Sequence, residues 1–202
     1  MPPYAVYEMP EESYFEIDEP ADWQIVEGLI KKRARQFKDQ DLIDKIKKIK
    51  LVLTDVDGVL TDAGMYYTEA GDEQKKFNTR DGKGVELLRK EGYKVGIITA
   101  EKTKIVENRA KKLKVDFLFQ GISDKLTVVK QLAQDMEITV ENIAYIGDDL
   151  NDLEVIKAVG LSACPADAVD EIKAIARLAL RKKGGEGVFR EFAGWLNQFK
   201  PV

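Results

Sequence analysis

Residues 51–58 read LVLTDVDG, four residues that favour β structure, then two carboxylates one residue apart and a glycine. A short apolar run without polar alternation reads as a strand buried on both faces. The same arrangement recurs at KVGIITA (94–100), VDFLFQG (115–121), NIAYIGD (142–148) and AVGLSAC (158–164). Between these runs the spacing predicts helices at about 81–91, 102–113, 124–137 and 149–157, with more helix after 168. Asp81, Asp124 and Asp149 stand where helix N-caps belong. Strands separated by helices of this length make right-handed βαβ units, hence a parallel sheet covered on both faces. The fold class is α/β, a Rossmann-like three-layer sandwich with a central parallel sheet. The exception is GMYYTEAGDEQKKFN (64–78), two β-like runs about Gly71-Asp72, which predicts a small β-hairpin flap.

Upstream of residue 50 the chain reads differently. Residues 1–30 carry acidic side chains, no Lys or Arg, and four of the six prolines; residues 31–50 then turn basic. Trp23, Val26, Ile30 and Ala34 fall at helical spacing, as do Leu42, Ile43, Ile46 and Ile49. This predicts an N-terminal arm (1–49) with two short helices, packed on the main domain (50–202) or on another subunit.

The composition excludes several chemistries. There is no histidine, which removes Ser-His-Asp and Cys-His nucleophiles, His-ligated zinc and every His general base. The single cysteine, Cys164, rules out an intramolecular disulfide and a Cys-cluster metal site. A net charge of −4 without a long basic run argues against a nucleic-acid partner. No apolar stretch approaches a membrane span, and the acidic start MPPYAVYEMPEE is unlike a signal peptide. A cytoplasmic setting is the expectation.

In open parallel sheets, ligands bind at the carboxyl ends of the strands. Those ends carry Asp55 and Asp57, then Thr99, then Asp148 and Asp149, while Lys125 starts the helix after the third run. Clustered carboxylates repel and need a cation to remain charged together, and with oxygen ligands alone the natural ion is Mg²⁺. Metal, lysine and hydroxyl around one point suit a transferring phosphoryl group, whose catalysis is mostly positioning and charge neutralisation. One carboxylate can attack phosphorus, and a second, two residues on, can move the protons. GDDLND (147–152) alone reads equally as a turn entering an N-capped helix, and Lys125 alone as a surface lysine. Their order along the chain, each at a strand's end, sets them apart. DVDG alone could be a calcium-loop fragment, but Val59 stands where that loop needs an oxygen ligand.

DVDGVLTD (55–62), IITAEKT (97–103), DKLTVVKQL (124–132) and GDDLND resemble the four successive motifs of the haloacid dehalogenase superfamily of phosphohydrolases. The resemblance covers about residues 50–200. It implies Asp55 as nucleophile, Asp57 as general acid/base, and Thr99 and Lys125 as phosphoryl ligands. It also implies Mg²⁺ held by the Asp55 carboxylate, the Asp57 carbonyl and the Asp148 carboxylate, with Asp149 and Asp152 in support. One departure is Ala100-Glu101, where relatives often have Gly-Arg; local substrate contacts are what it affects.

FNTRDGKGVELL (77–88) and GGEGVFREF (184–192) further resemble the branch of 3-deoxy-D-manno-octulosonate 8-phosphate phosphatases and the phosphatase modules of CMP-acylneuraminate synthetases. The intervals Asp57 to Thr99 and Thr99 to Lys125 are too short for a cap domain. The branch implies a homotetramer in which a neighbouring subunit closes the site, and a phosphorylated sugar acid as substrate. Arg80, Lys83 and Arg190 are the candidates to bind that acid, with a surface role equally open for Arg190. Gly184, Gly185 and Gly187 read either as part of this closure or as a helix-terminating turn. Residues 6–30 are similar to the last segment of acylneuraminate cytidylyltransferases, without the nucleotide-binding domain that would give that activity. A phosphotransferase or mutase, or a non-catalytic assembly module, are the alternative functions.

Overall fold

The computed structural model describes residues 40–69 and 73–199. The chain divides after Asp41, and the described elements belong to the unit from Leu42 onward and the helix leading into it. The arm's expected first helix and the Gly71-Asp72 turn lie outside the described residues.

Helix α1 (Gln40–Lys48) precedes β1 (Leu51–Thr54), followed by the flap strands β2 (Tyr66–Tyr67) and β3 (Glu73–Gln74). Then come α2 (Thr79–Lys90), β4 (Lys94–Ile98), α3 (Lys104–Leu113), β5 (Phe117–Phe119) and α4 (Lys125–Asp135). The last part holds β6 (Ile143–Ile146), α5 (Leu153–Ala158), β7 (Leu161–Cys164), α6 (Asp170–Ile175), β8 (Leu178–Ala179) and α7 (Val188–Gln198). The main sheet runs β5-β4-β1-β6-β7-β8, with every neighbouring pair parallel. β2 and β3 pair antiparallel as the expected hairpin. Between Asp57 and Thr99 the described residues hold only the flap, α2 and β4, and between Thr99 and Lys125 only α3 and β5; there is no cap domain among them.

Period-two alternation sorts the strand side chains between two cores. Val52, Val95, Ile97, Ala144, Ile146, Leu161 and Ala163 face α1, α2, α3 and α7. Leu51, Leu53, Ile98, Ile143, Tyr145 and Cys164 face α4, α5 and α6. Helix α1 is committed to the first core, with Leu42, Ile46 and Ile49 buried there. Each such side chain contributes about 1.5–3 kcal/mol of transfer free energy. The second helix of the expected arm therefore packs on the same core as residues 50–202.

Two of the three expected N-caps stand as read. Asp124 accepts the Thr127 amide at 3.1 Å to start α4, and Asp149 accepts the Leu150 amide at 2.7 Å to start a 3₁₀ turn, Leu150–Asp152. Asp81 does not cap its own helix. Asn78 does, its side chain accepting the Arg80 amide at 3.0 Å. Asp81 is buried and instead accepts the Arg190 amide at 2.9 Å, in the first turn of α7. The N-cap of α7 is Gly187, which has no side chain to offer, so a carboxylate from α2 serves in its place.

The Gly-rich segment leads into α7 and does not end a helix. It lies on the loop after β1: the Gly185 amide donates to Val59 O at 3.0 Å, and the Asn78 side chain donates to Gly185 O at 3.1 Å. A Cβ at Gly184 would stand 2.1 Å from Gly58 O, so only glycine permits this approach. No helix among the described residues is long and apolar enough to cross a membrane.

Candidate active site

The sheet register places Thr54 beside both Ile97 and Ile146, so the residues that follow these strands emerge along one edge. Asp55 comes first and is 3% exposed. Its Oδ1 accepts the Val56 amide at 2.7 Å, and its Oδ2 lies 2.7 Å from Lys125 Nζ. Lys125 opens α4 and is buried, its ammonium also 2.6 Å from Asp152 Oδ1. Tyr145, inside β6, donates its hydroxyl to that same oxygen at 2.5 Å. Asp152 Oδ2 accepts the Asp148 amide at 2.9 Å. Asp148 Oδ1 is buried with no partner. Gly58 makes the room: at φ +77°, it faces the Asp148 carboxylate so closely that a Cβ would stand 1.9 Å from Oδ2.

Asp57 has a different set of partners. Its Oδ1 and Oδ2 lie 2.6 and 2.7 Å from Lys75 Nζ, and Thr61 Oγ1 donates to Oδ1 at 3.2 Å. Lys75 Nζ is also 2.6 Å from Glu101 Oε2. Thr99 is buried at the end of β4; its amide donates to Phe119 O at 3.0 Å and its carbonyl accepts the Ile122 amide at 3.1 Å.

Burial, then the charge of Asp152, pushes the Asp55 carboxyl up to about 7 against the pull of Lys125. Burial, then Asp55 and Asp152, pushes Asp148 up to about 8. Burial works against the Lys125 ammonium, but Asp55 and Asp152 outweigh it and raise its pKa. The pocket thus holds more negative charge than its one lysine can offset, and it holds an unpartnered oxygen. Carboxylate oxygens of Asp55, Asp148 and Asp152 lie within 4.8 Å of one another. An all-oxygen donor set with excess negative charge fits a hard divalent cation. Asp152 already accepts from Lys125, Tyr145 and the Asp148 amide, whereas Asp55 and Asp148 have the freer oxygens.

Residues 118–192 match the family of haloacid dehalogenase-like hydrolases. The 3-deoxy-D-manno-octulosonate 8-phosphate phosphatase KdsC of Yersinia pestis is 42% identical over 151 residues, which is 75% of this chain and 81% of that protein. The chain belongs to this phosphatase family of the haloacid dehalogenase-like hydrolases. Among solved structures, a probable YrbI family phosphatase from Pseudomonas syringae superposes with a TM-score of 0.78 at 45% identity, covering 80% of this chain and 92% of the other. The Moraxella catarrhalis 3-deoxy-D-manno-octulosonate 8-phosphate phosphatase, in complex with magnesium ion, phosphate ion and a KDO molecule, superposes with a TM-score of 0.77 at 34% identity. It covers 79% of this chain and 91% of the other.

In the phosphatase, Asp55, Lys125, Asp148 and Asp152 come together as one network, and Asp57 and Thr99 lie on the same edge. Asp149 is taken by its own 3₁₀ turn. The expected sugar-acid residues sit apart from this network. Lys83 pairs with Glu86 at 2.8 Å on the exposed face of α2. Arg80 lies beside Gly187, where a Cβ on the glycine would meet the Arg80 Cβ at 3.5 Å. Arg190 sits in the first turn of α7 with its amide on Asp81. Sequence reasoning missed Tyr145, Lys75 and Glu101. Tyr145 carried a signal, a polar-tipped aromatic in an otherwise aliphatic strand, which when buried needs a partner for its hydroxyl. Lys75 stands next to Lys76, and nothing in the sequence separates them.

Proposed function

We propose that this phosphatase hydrolyses the terminal phosphate of a 3-deoxy-ulosonic acid, with 3-deoxy-D-manno-octulosonate 8-phosphate as substrate. In this reading Mg²⁺ is the cation and the reaction passes through a phosphoaspartate on Asp55. The observation that carries it is Asp55 itself, a buried carboxylate pinned by Lys125 beside an unpartnered oxygen of Asp148. The substrates named for the relatives and the magnesium, phosphate and KDO of the Moraxella complex support the same reading.

Asp55, Asp148 and the Asp57 carbonyl would hold the cation, which when bound neutralises the phosphoryl oxygens and lets both carboxylates stay charged. An Asp55 oxygen attacks phosphorus. Lys125 and Thr99 donate to the non-bridging oxygens, and Asp57 gives a proton to the departing sugar oxygen. Asp57 then takes a proton from the water that attacks the phosphoaspartate, which releases phosphate and restores Asp55. Lys125 and Thr99 are fixed in advance by a helix start and a strand end, so little reorganisation of these donors accompanies the charge movement.

Arg80, Lys83 and Arg190 remain the proposed contacts to the sugar acid. Met65, Tyr66 and Tyr67 on the flap are exposed large apolar side chains, which supports a tetramer in which a neighbour closes the site. The proposal also places the enzyme in the cytoplasm and treats residues 1–49 as an arm whose second helix packs on the phosphatase domain. The test is phosphate release, with and without Mg²⁺, from 3-deoxy-D-manno-octulosonate 8-phosphate and an acylneuraminate 9-phosphate side by side, with Asp55→Asn as control. Preference for the first substrate supports the proposal. Preference for the second transfers the activity to the acylneuraminate branch that residues 6–30 resemble. Release from neither, with Mg²⁺ bound, favours an assembly module.

A further inference from the structure

Lys75 follows β3 directly, where the flap rejoins the domain. Its side chain is 0% exposed, although its partners Asp57 and Glu101 are 30% and 39% exposed. The next residue, Lys76, turns outward, 64% exposed, to pair with Asp62 at 2.9 Å. Withdrawing an ammonium from water is costly unless several oxygens replace its hydration shell. Lys75 receives three within 2.7 Å, both from Asp57 and one from Glu101. Burial disfavours the charge, but these hydrogen bonds outweigh it and raise the lysine's pKa, so it stays an ammonium at neutral pH.

The geometry has two consequences. A carboxylate held through both oxygens by one ammonium loses rotation about its terminal torsion, so the Asp57 head is fixed in one plane. Thr61 adds a second restraint from the same loop. The ammonium also ties together three segments that end at this edge, the flap, the loop after β1 and the loop after β4. Glu101, from the loop after β4, holds the same ammonium that Asp57 holds from the loop after β1.

We propose that Lys75 is the positioning residue for the Asp57 carboxyl, carried by the flap and anchored by Glu101. The proposal rests on the reading of Asp57 as general acid. It makes leaving-group protonation depend on the Lys75 ammonium. Lys75 itself exchanges no proton in this scheme. The proton that Asp57 takes from the attacking water of one turnover sits on Oδ2, while Oδ1 keeps Lys75 and Thr61. It passes to the departing oxygen of the next turnover as the phosphorus–oxygen bond breaks.

The experiment compares kcat/KM for two substrates with the full chain and Mg²⁺. One is 3-deoxy-D-manno-octulosonate 8-phosphate, whose alkoxide must be protonated as it leaves. The other is p-nitrophenyl phosphate, whose phenolate leaves without help. Because kcat/KM extends only to the first irreversible step, it isolates leaving-group departure from hydrolysis of the phosphoaspartate. Lys75→Met should lower the sugar phosphate value by about 10²-fold, the usual worth of a placed acid, and the aryl value by less than about threefold. Lys75→Gln, which keeps a hydrogen-bond donor without the charge, gives the same comparison if the methionine variant does not fold. Asp57→Asn is the control for the underlying reading: equal losses on both substrates there would overturn Asp57 as the acid. If Asp57→Asn discriminates between the substrates and the Lys75 variants do not, Lys75 is only a structural ion pair and the proposal is wrong.

Discussion

Asp55 and Asp57 stand two residues apart, and each is held by a lysine, but the two lysines belong to different kinds of structure. Lys125 is the first residue of α4, fully buried, and shares Asp152 with Tyr145 from the middle of the sheet. Lys75 comes from a short hairpin and works between two carboxylates that remain in part exposed to water. The first arrangement is fastened into the core, so disturbing it disturbs the fold. The second is fastened to a flap, so it can be lost while the domain stays intact. The division suits the roles proposed for the two carboxylates: a nucleophile must not move, whereas a group that meets the leaving sugar must admit and release it.

The largest expected effect is on turnover. Asp55→Asn removes the proposed attacking carboxylate and should lower kcat by at least about 10³-fold, with the circular dichroism spectrum unchanged. Near-normal activity in that variant would remove the nucleophile from the mechanism and with it half of the comparison.

Lys125→Met separates the two lysines by stability. It leaves Asp55 and Asp152 buried without their ammonium, a loss of about 3–5 kcal/mol for breaking a buried pair. For a chain of this size that lowers Tm by on the order of 10 °C. Lys75→Met breaks a pair open to water on the carboxylate side, worth about 1 kcal/mol or less, and should move Tm by no more than about 4 °C. Differential scanning calorimetry of the two variants with Mg²⁺ present decides the matter. Equal shifts would mean that flap and core are one cooperative unit.

Gly58→Ala probes the room that the loop after β1 leaves for the Asp148 carboxylate. Its added methyl would overlap the Asp148 carboxylate, at a φ of +77° that an alanine adopts only under strain. Asp148 must then move, and Mg²⁺ affinity should fall by roughly 10–100-fold, the range found when a metal ligand's surroundings are disturbed. Titration calorimetry with Mg²⁺ measures this without turnover. Unchanged affinity would take Asp148 out of the cation site.

Why the sequence revealed one side of this comparison and not the other follows from chain geometry. The strand runs and the residues at their carboxyl ends are local features, so β1, β4, β6 and the positions of Asp55, Thr99 and Asp148 could be read from pattern alone. The strands came out shorter than the apolar runs: β1 ends at Thr54, because Asp55 onward turns away to form the site. β8 is two residues long and offers no period to detect. Lys75 and Glu101 are 26 residues apart, and Asn78 meets Gly185 across 107, so neither contact leaves a local trace. Asp81 was misread for the same reason: in sequence it resembles a cap for the helix it sits on, and only the packing of α7 onto α2 reveals the helix it serves.

Asp81 supplies the remaining test, a buried carboxylate with no lysine salt bridge. It has the Arg190 amide on Oδ1, no partner on Oδ2, and Arg109 and Lys182 as the cations that act on it. Burial is the largest influence and pushes its pKa from 3.8 up to about 6, the amide and the cations opposing. A folded pKa above the unfolded value means that the native state binds the proton more tightly. Stability is therefore greatest below about pH 4, falls as pH rises towards about 6, and is level beyond that. A shift of this size corresponds to about 2–3 kcal/mol. Asp81→Asn keeps an oxygen for the Arg190 amide and cannot ionise. The Tm of the variant relative to wild type should therefore rise by roughly 6 °C between pH 4 and pH 7. Activity at a given pH should change little, because Asp81 secures α7 and touches none of the reacting groups. A flat difference across that range would mean that the charge of Asp81 is already offset at the α2–α7 contact. The free amides at the start of α7 would then serve Asp81 as an ammonium serves Asp55 and Asp57.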